Sequence, residues 1–218
     1  MMNSGGSIYN EDSTGIGFND ETGTAPLELW KEMIEAGTMH IPSGQDYNSS
    51  EACRNAFAGG TAAMIMQSSA QLKGLEKTCE FEVGVTAIPE NTTRAYPAGG
   101  SNLMMFAGHD KEEEAAGWEF LKFMTNTENA VKWASGTGYL PTRKSCIENE
   151  DFQKMVEEDP NVQLIVDNVE YCAEATFIPE YAETKEIIAS EIQKCILEEG
   201  YSPEEAIQNV ADRVEKLF

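Results

Sequence analysis

Between Gly99 and Lys144 the hydrophobic period changes from that of a strand to that of a helix and back, which narrows the folds open to this chain. Asn102 to Ala107 is an apolar run whose length suits a buried strand. A polar connection with Gly108 and Asp110 ends it. From Glu112, residues Ala115, Trp118, Leu121, Phe123 and Met124 recur at helical spacing. Three glutamates stand in the first turn, where the helix dipole favours negative charge. The spacing predicts a helix with one buried face. Thr127 and Glu128 open a second helix, which buries Val131 and Ala134 and stops at Gly136 and Gly138. Tyr139-Leu140-Pro141 then runs extended, because a residue before proline is pushed out of the helical region.

A similar device precedes it. After a helix starting at Ser49 or Ser50, Gly59-Gly60 breaks the chain, Ala62 to Met66 reads as a buried strand, and Gln67-Ser68-Ser69 turns into a helix carrying Leu72 and Leu75. Small hydroxyl residues between a strand and a helix place side-chain oxygens beside free backbone N–H groups, an arrangement suited to the oxygens of a ligand. The same spacing is equally that of a helix cap at Ser68. Phe81 to Ile88 reads as a strand ended by Pro89.

The outer segments are simpler. Ser7 to Asn10 and Gly15 to Phe18 are short extended pieces, and Gly15-Ile16-Gly17 lacks the flanking elements of a nucleotide loop. Thr24 is expected to cap a helix with Pro26 in its first turn, closed by Gly37, and Thr38 to Asn48 is loop-like. After Lys144 the chain is mainly helical: 147–158, 161–171 and 182–197, then a last helix behind Ser202-Pro203-Glu204-Glu205. Between them, 172–181 reads as extended, and Phe177, Pro179 and Tyr181 either overlie a cleft or cover the core below.

Composition excludes more than it assigns. The 218 residues suffice for one large or two small domains, and a 41% hydrophobic content supports a core. A net charge of -23 argues against nucleic acid and anionic membrane, both of which need clustered Lys and Arg. Five cysteines show neither a C-x-x-C pair nor metal-ligand spacing, and are expected as small core residues. No signal peptide, lipid-attachment cysteine or membrane-length apolar run is visible in the sequence. With 38 acidic residues, carboxylate pairs occur at every spacing and no one pair marks a hydrolase. His40 and His109 lie in polar loops away from any nucleophile motif, so no catalytic residue, metal or cofactor is expected.

The order Gly99-Gly100, apolar strand, acidic helix with WEFLKFM, then Thr127-Glu128-Asn129-Ala130 and TGYLPTRKS resembles the second half of a family 1 extracellular solute-binding protein. Such proteins are the substrate-capturing subunits of carbohydrate ABC transporters, and the match is to the branch of glycerol-phosphate and oligosaccharide binders. The resemblance implies an α/β, periplasmic-binding-protein-like (type II) two-lobed fold, mostly the C-terminal lobe with part of the N-terminal lobe. Residues 1–97 and 145–218 would form the C-terminal lobe and 98–144 would belong to the N-terminal lobe. Relatives are roughly twice as long, and the expectation is that most of the first lobe is missing.

It also implies a non-catalytic carbohydrate receptor at the extracellular face of the membrane or in the periplasm, from a family of lipoproteins, handing its ligand to ABC permease subunits. Ser68, Ser69, Gly99, Gly100, Ser101, Tyr139, Arg143 and Tyr181 would be the ligand-binding residues. Glycerol-phosphate binders carry an arginine before the long C-terminal helix, where this chain reads Pro179-Glu180-Tyr181, so a neutral oligosaccharide is preferred to a phosphorylated ligand. The alternatives are a helical scaffold protein and, further off, a glycoside-processing enzyme. Helices whose apolar faces would cover strands from elsewhere also imply self-association through 112–135.

Overall fold

The structure, a computed structural model, describes residues 1–42, 49–173 and 178–218. The loop expected at 43–48 and the extended reading of 174–177, including Phe177, lie outside them. The described residues pack as two compact units, residues 1–53, 88–98 and 171–218, and residues 54–87 and 99–170. These boundaries differ from the expected segments 1–97, 98–144 and 145–218, because they follow packing within this chain, whereas lobes are defined by a whole receptor.

In the first unit, β1 (Ser7–Tyr9) and β2 (Ile16–Gly17) form the antiparallel pair that the two extended pieces foreshadow. Helix α1 (Glu21–Glu35) starts earlier than expected. Its cap is Asp20, whose carboxylate accepts from the Thr22 amide at 2.8 Å and hydroxyl at 2.6 Å, so Thr24 lies inside the helix. Gly23 is buried in α1, where a methyl group would collide with the Phe18 backbone oxygen.

The rest of this unit's core comes from far along the chain. Helix α8 (Tyr181–Leu197) and helix α9 (Pro203–Val214) pack on α1, burying Leu27, Ile187, Cys195, Ile207, Val210 and Val214 together. Ser202 caps α9 by accepting from the Glu205 amide at 3.1 Å. A charged group that periodicity misses sits among these apolar residues. Glu191 is 1% exposed and accepts from Lys194 at 2.8 Å, Arg213 at 2.5 Å and the Tyr201 hydroxyl at 2.5 Å. Burial pushes its carboxyl up, but the hydrogen bonds from Lys194, Tyr201 and Arg213 outweigh it and hold the group below its ordinary value.

The second unit is helical: α3 (Leu72–Thr78), α4 (Lys111–Met124), α5 (Thr127–Thr137), α6 (Glu150–Glu158) and α7 (Pro160–Asp167), with the C-terminal half of α2 (Ser50–Ala58). Asp110, Asn126, Asn149 and Asp159 cap α4 to α7 in turn. α5 buries Val131 and Ala134 as its pattern requires, runs through Gly136 and ends only at Gly138, in the left-handed region. Its inner face packs with Cys146 and Phe152, while Phe57, Leu72, Leu75 and Val83 form a second cluster.

The expected strands need correcting. Residues 62–66, 81–88 and 102–107 form no strand, since a strand exists only through a ladder partner and these segments find none among the described residues. Nor are the runs at 62–66 and 102–107 buried: Met104 is 84% and Phe106 85% exposed, and Met64 is exposed as well. α4 likewise buries none of its residues, and Trp118 and Phe123 on its apolar face are more than half exposed. Part of 81–88 is held in another way. The Asn161 side-chain amide donates to Val83 O and accepts from Val85 N, both at 2.8 Å, as an adjacent strand would. Among the cysteines, Cys146 and Cys195 are buried, Cys53 and Cys79 half-buried, and Cys172, expected inside, is exposed.

Glu191 generates a paired expectation. Because its folded pKa lies below the unfolded value of about 4.3, its stabilisation is present above that pH and is lost as pH falls through the folded value. Glu191→Gln should cost the first unit about 2 kcal/mol at neutral pH, and the gap between variant and parent should narrow as pH falls through and below the ordinary carboxylate range. Thermal melts at neutral and acid pH measure both.

Candidate ligand-binding site

The Ser68–Ser69 turn and the Gly138–Tyr139 corner meet within the second unit. Ser68 has extended backbone and its Oγ accepts from the Ala70 amide at 3.4 Å, so it acts as the cap its spacing allowed. A single 3-10 turn, Ser69–Gln71, then leads into α3, and both serines remain exposed. Gly138 has φ 83, and an added Cβ there would lie 3.0 Å from Ser69 O and 3.8 Å from the Lys73 side chain. Only a glycine brings the end of α5 this close in that conformation. Tyr139 follows directly, half-buried, its amide donating to Thr137 Oγ1 at 3.2 Å.

The other expected residues are placed differently. Arg143 lies in the same unit, but its guanidinium bonds Thr125: Nε donates to the backbone oxygen and Nη2 to Oγ1 at 3.4 Å. The neighbouring Ser145 hydroxyl meets Thr127 Oγ1 at 2.6 Å, so the return segment is strapped to the α4–α5 junction. Gly99, Gly100 and Ser101 are exposed, and a Cβ added to either glycine meets nothing within 4 Å. Tyr181 belongs to the first unit, where it packs half-buried against the core as the first residue of α8.

Sequence reasoning missed the ionic group beside this corner. Lys73 Nζ is held by Asp159 at 2.7 Å and Glu76 at 2.9 Å. Burial lowers the ammonium pKa, but the two carboxylates outweigh it and raise the value, while Asp159, pushed up by burial, is held low by Lys73 and by the Asn161 and Val162 amides. Spacing gave no signal of this, because Lys73 and Asp159 stand far apart in sequence. Hollows of about 380 and 370 Å³ flank Asp159, and neither is lined by an expected ligand-binding residue. Among the described residues no helix is long and apolar enough to cross a membrane, and no cluster of His, Cys, Asp and Glu fits a metal ion.

Known proteins resemble this arrangement over much of the chain. The family model for bacterial extracellular solute-binding proteins matches residues 1–163. The sn-glycerol-3-phosphate-binding periplasmic protein UgpB of Escherichia coli K12 is 27% identical over 148 residues, 66% of this chain and 33% of the relative. The protein of the same name from Escherichia coli O6:H1 is 26% identical over 152 residues, 67% of this chain and 34% of the relative. The chain therefore matches about a third of the length of these curated relatives. Three solved structures share its fold. UgpB from Mycobacterium tuberculosis, in complex with glycerophosphocholine, superimposes with a TM-score of 0.83 at 20% identity, covering 99% of this chain and 53% of that one. The GacH receptor of Streptomyces glaucescens, solved unliganded and with acarbose, gives 0.84 at 23% identity, over 99% and 54%. Maltose-bound MalE3 of T. maritima gives 0.80 at 21%, over 100% and 55%. The α/β fold is thus that of these binding proteins, over a little more than half their length. On the family match, the chain belongs to the bacterial extracellular solute-binding proteins.

Proposed function

We propose that this chain serves in the capture of a neutral oligosaccharide for uptake by an ABC transporter, as a binding component and not a catalyst. The carrying observation is the meeting of the exposed Ser68–Ser69 turn with Gly138, the residue that leads into half-buried Tyr139. Hydroxyls bond sugar oxygens and an aromatic ring stacks on a sugar face, so no charged group is needed. The nearby cations support a neutral ligand. Lys73, beside Gly138, is taken up by Asp159 and Glu76, and Arg143 bonds Thr125.

Gly99, Gly100, Ser101 and Arg143 complete the proposed site within the second unit, and on this reading 1–97 and 145–218 belong to one lobe of the receptor and 98–144 to the other. Ligand favours the closed arrangement of two lobes because it fits that arrangement better, and the closed surface is what permease subunits would recognise. The place of action would be the periplasm or the outer face of the membrane.

A thermal-shift screen with maltose, maltotriose, glycerol 3-phosphate and glycerophosphocholine tests the ligand class, since a compound that binds only the folded state raises its melting point. Neutral oligosaccharides should produce the shift, and Ser69→Ala and Tyr139→Ala should remove it without lowering the ligand-free melting point by more than a few degrees. A shift with glycerol 3-phosphate alone would reverse the preference. The sugars should be recovered uncleaved.

Gly138→Ala tests the corner itself. Forcing a Cβ into the left-handed region against Ser69 O should destabilise the second unit by about 1–2 kcal/mol, read by urea unfolding, and weaken sugar binding with it.

A further inference from the structure

Lys73 links the corner at Gly138 to two carboxylates. Its Cγ lies 3.8 Å from where a Cβ would stand on Gly138, and its Nζ is held by Asp159 at 2.7 Å and by Glu76 at 2.9 Å. The stem therefore touches the corner while the charge is engaged by the carboxylates. One carboxylate would neutralise one ammonium, and the second leaves the trio with an excess negative charge. The Lys73, Glu76 and Asp159 side chains are only 23%, 28% and 21% exposed, so salt screens them less than surface charges. Each carboxylate uses one oxygen for local structure and the other for the ammonium. Asp159 caps α7 through Oδ1 and holds Lys73 through Oδ2, and Glu76 meets the Asn161 amide through Oε1 at 3.5 Å and Lys73 through Oε2.

We propose that Glu76 and Asp159 are the specificity-determining residues of this site: by holding the Lys73 ammonium they restrict it to neutral ligands, and without their charge the ammonium would take an organic phosphate. The inference rests on the sugar reading and names what enforces it. Beyond Cγ the lysine stem still has two methylene groups, so a freed Nζ sweeps the space beside the corner, and an ammonium binds phosphate as a point charge that needs no fixed fork. In the parent, a phosphate must displace two carboxylates held at hydrogen-bond distance and then lie against their charge. Such a repulsive element discriminates by ligand charge and leaves an uncharged sugar unaffected. There is room for the phosphate: the hollow of about 370 Å³ beside Asp159 is lined by Lys73 and Lys154, and also by Asp151 and Glu158.

Titration calorimetry with maltotriose and with glycerol 3-phosphate, on the 218-residue protein and on the double variant Glu76→Gln/Asp159→Asn, tests this. An amide at either position keeps the structural oxygen and removes the charge. The double variant should bind glycerol 3-phosphate about tenfold or more tightly than the parent does, with its maltotriose affinity little changed. Adding Lys73→Met should abolish that gain, which separates a freed ammonium from a general loss of negative charge. Glu76→Gln alone, which leaves Asp159 on the ammonium, should show part of the gain, and it decides the question if circular dichroism finds the double variant unfolded. Folded variants with no gain toward glycerol 3-phosphate, or a gain that survives Lys73→Met, would overturn the proposal. A parent that binds no maltotriose overturns the sugar reading instead, and the glycerol 3-phosphate comparison is read independently of it.

Discussion

Backbone pairing is the constraint on which the rest of this structure depends. A helix satisfies its N–H and C=O groups within itself, apart from four at each end, whereas a strand depends on a neighbour for all of them. Helices α4 to α7 and α9 therefore form where the sequence supplies a cap and an apolar stripe, and α3 and α8 form on their apolar stripes without a side-chain cap. Asp110, Asn126, Asn149, Asp159 and Ser202 each accept from amides of the first turn. The apolar runs at 62–66 and 102–107 have the composition of strands and none of the partners. Where a partner is improvised, order follows: the Asn161 carboxamide supplies a donor and an acceptor to 83–85, and Val83 joins a buried cluster.

The first unit solves a different problem, that of an acidic chain closing a core. α8 and α9 bring carboxylates close to apolar surface, and Glu191 is fully enclosed. An isolated buried carboxylate would be prohibitive. Three donors from two helices and their connection make it tolerable, and Asn209, bonded to the Tyr201 hydroxyl at 2.6 Å, extends the network. Lys194 and Arg213 stay partly in water, so the network neutralises charge without burying the cations as well.

What the sequence disclosed follows the same physics. Most helix positions, Gly138 as a stop and the inward residues of α5 were legible because each depends on neighbours a few positions away. The cap of α1 was read at Thr24, since the proline two residues on suggested a first turn there, but the Asp20 carboxylate is a stronger acceptor and starts the helix sooner. Glu191 was invisible because periodicity counts apolar residues, and a buried carboxylate breaks its own pattern. Of the candidate site, only the local turn chemistry is legible in sequence. The Ser68–Ser69 turn follows from local spacing, but its contact with Gly138 and the capture of Lys73 by Asp159 depend on tertiary packing. Nor does Arg143 show in sequence that Thr125 engages it.

Ligand charge is the point at which fold and function meet. A phosphate ester needs a cation whose donors are free to fork onto its oxygens. At the Gly138 corner the neighbouring ammonium is already shared between two carboxylates, and transferring it to a ligand would strand Asp159, which also caps α7. The cost would fall on the packing of the second unit as well as on binding. A chain of net charge -23 further opposes the approach of an anion from a distance. A neutral sugar meets neither penalty: it asks only for hydroxyls and an aromatic face, and leaves the Lys73 bridge, and with it the junction of α3 and α7, undisturbed.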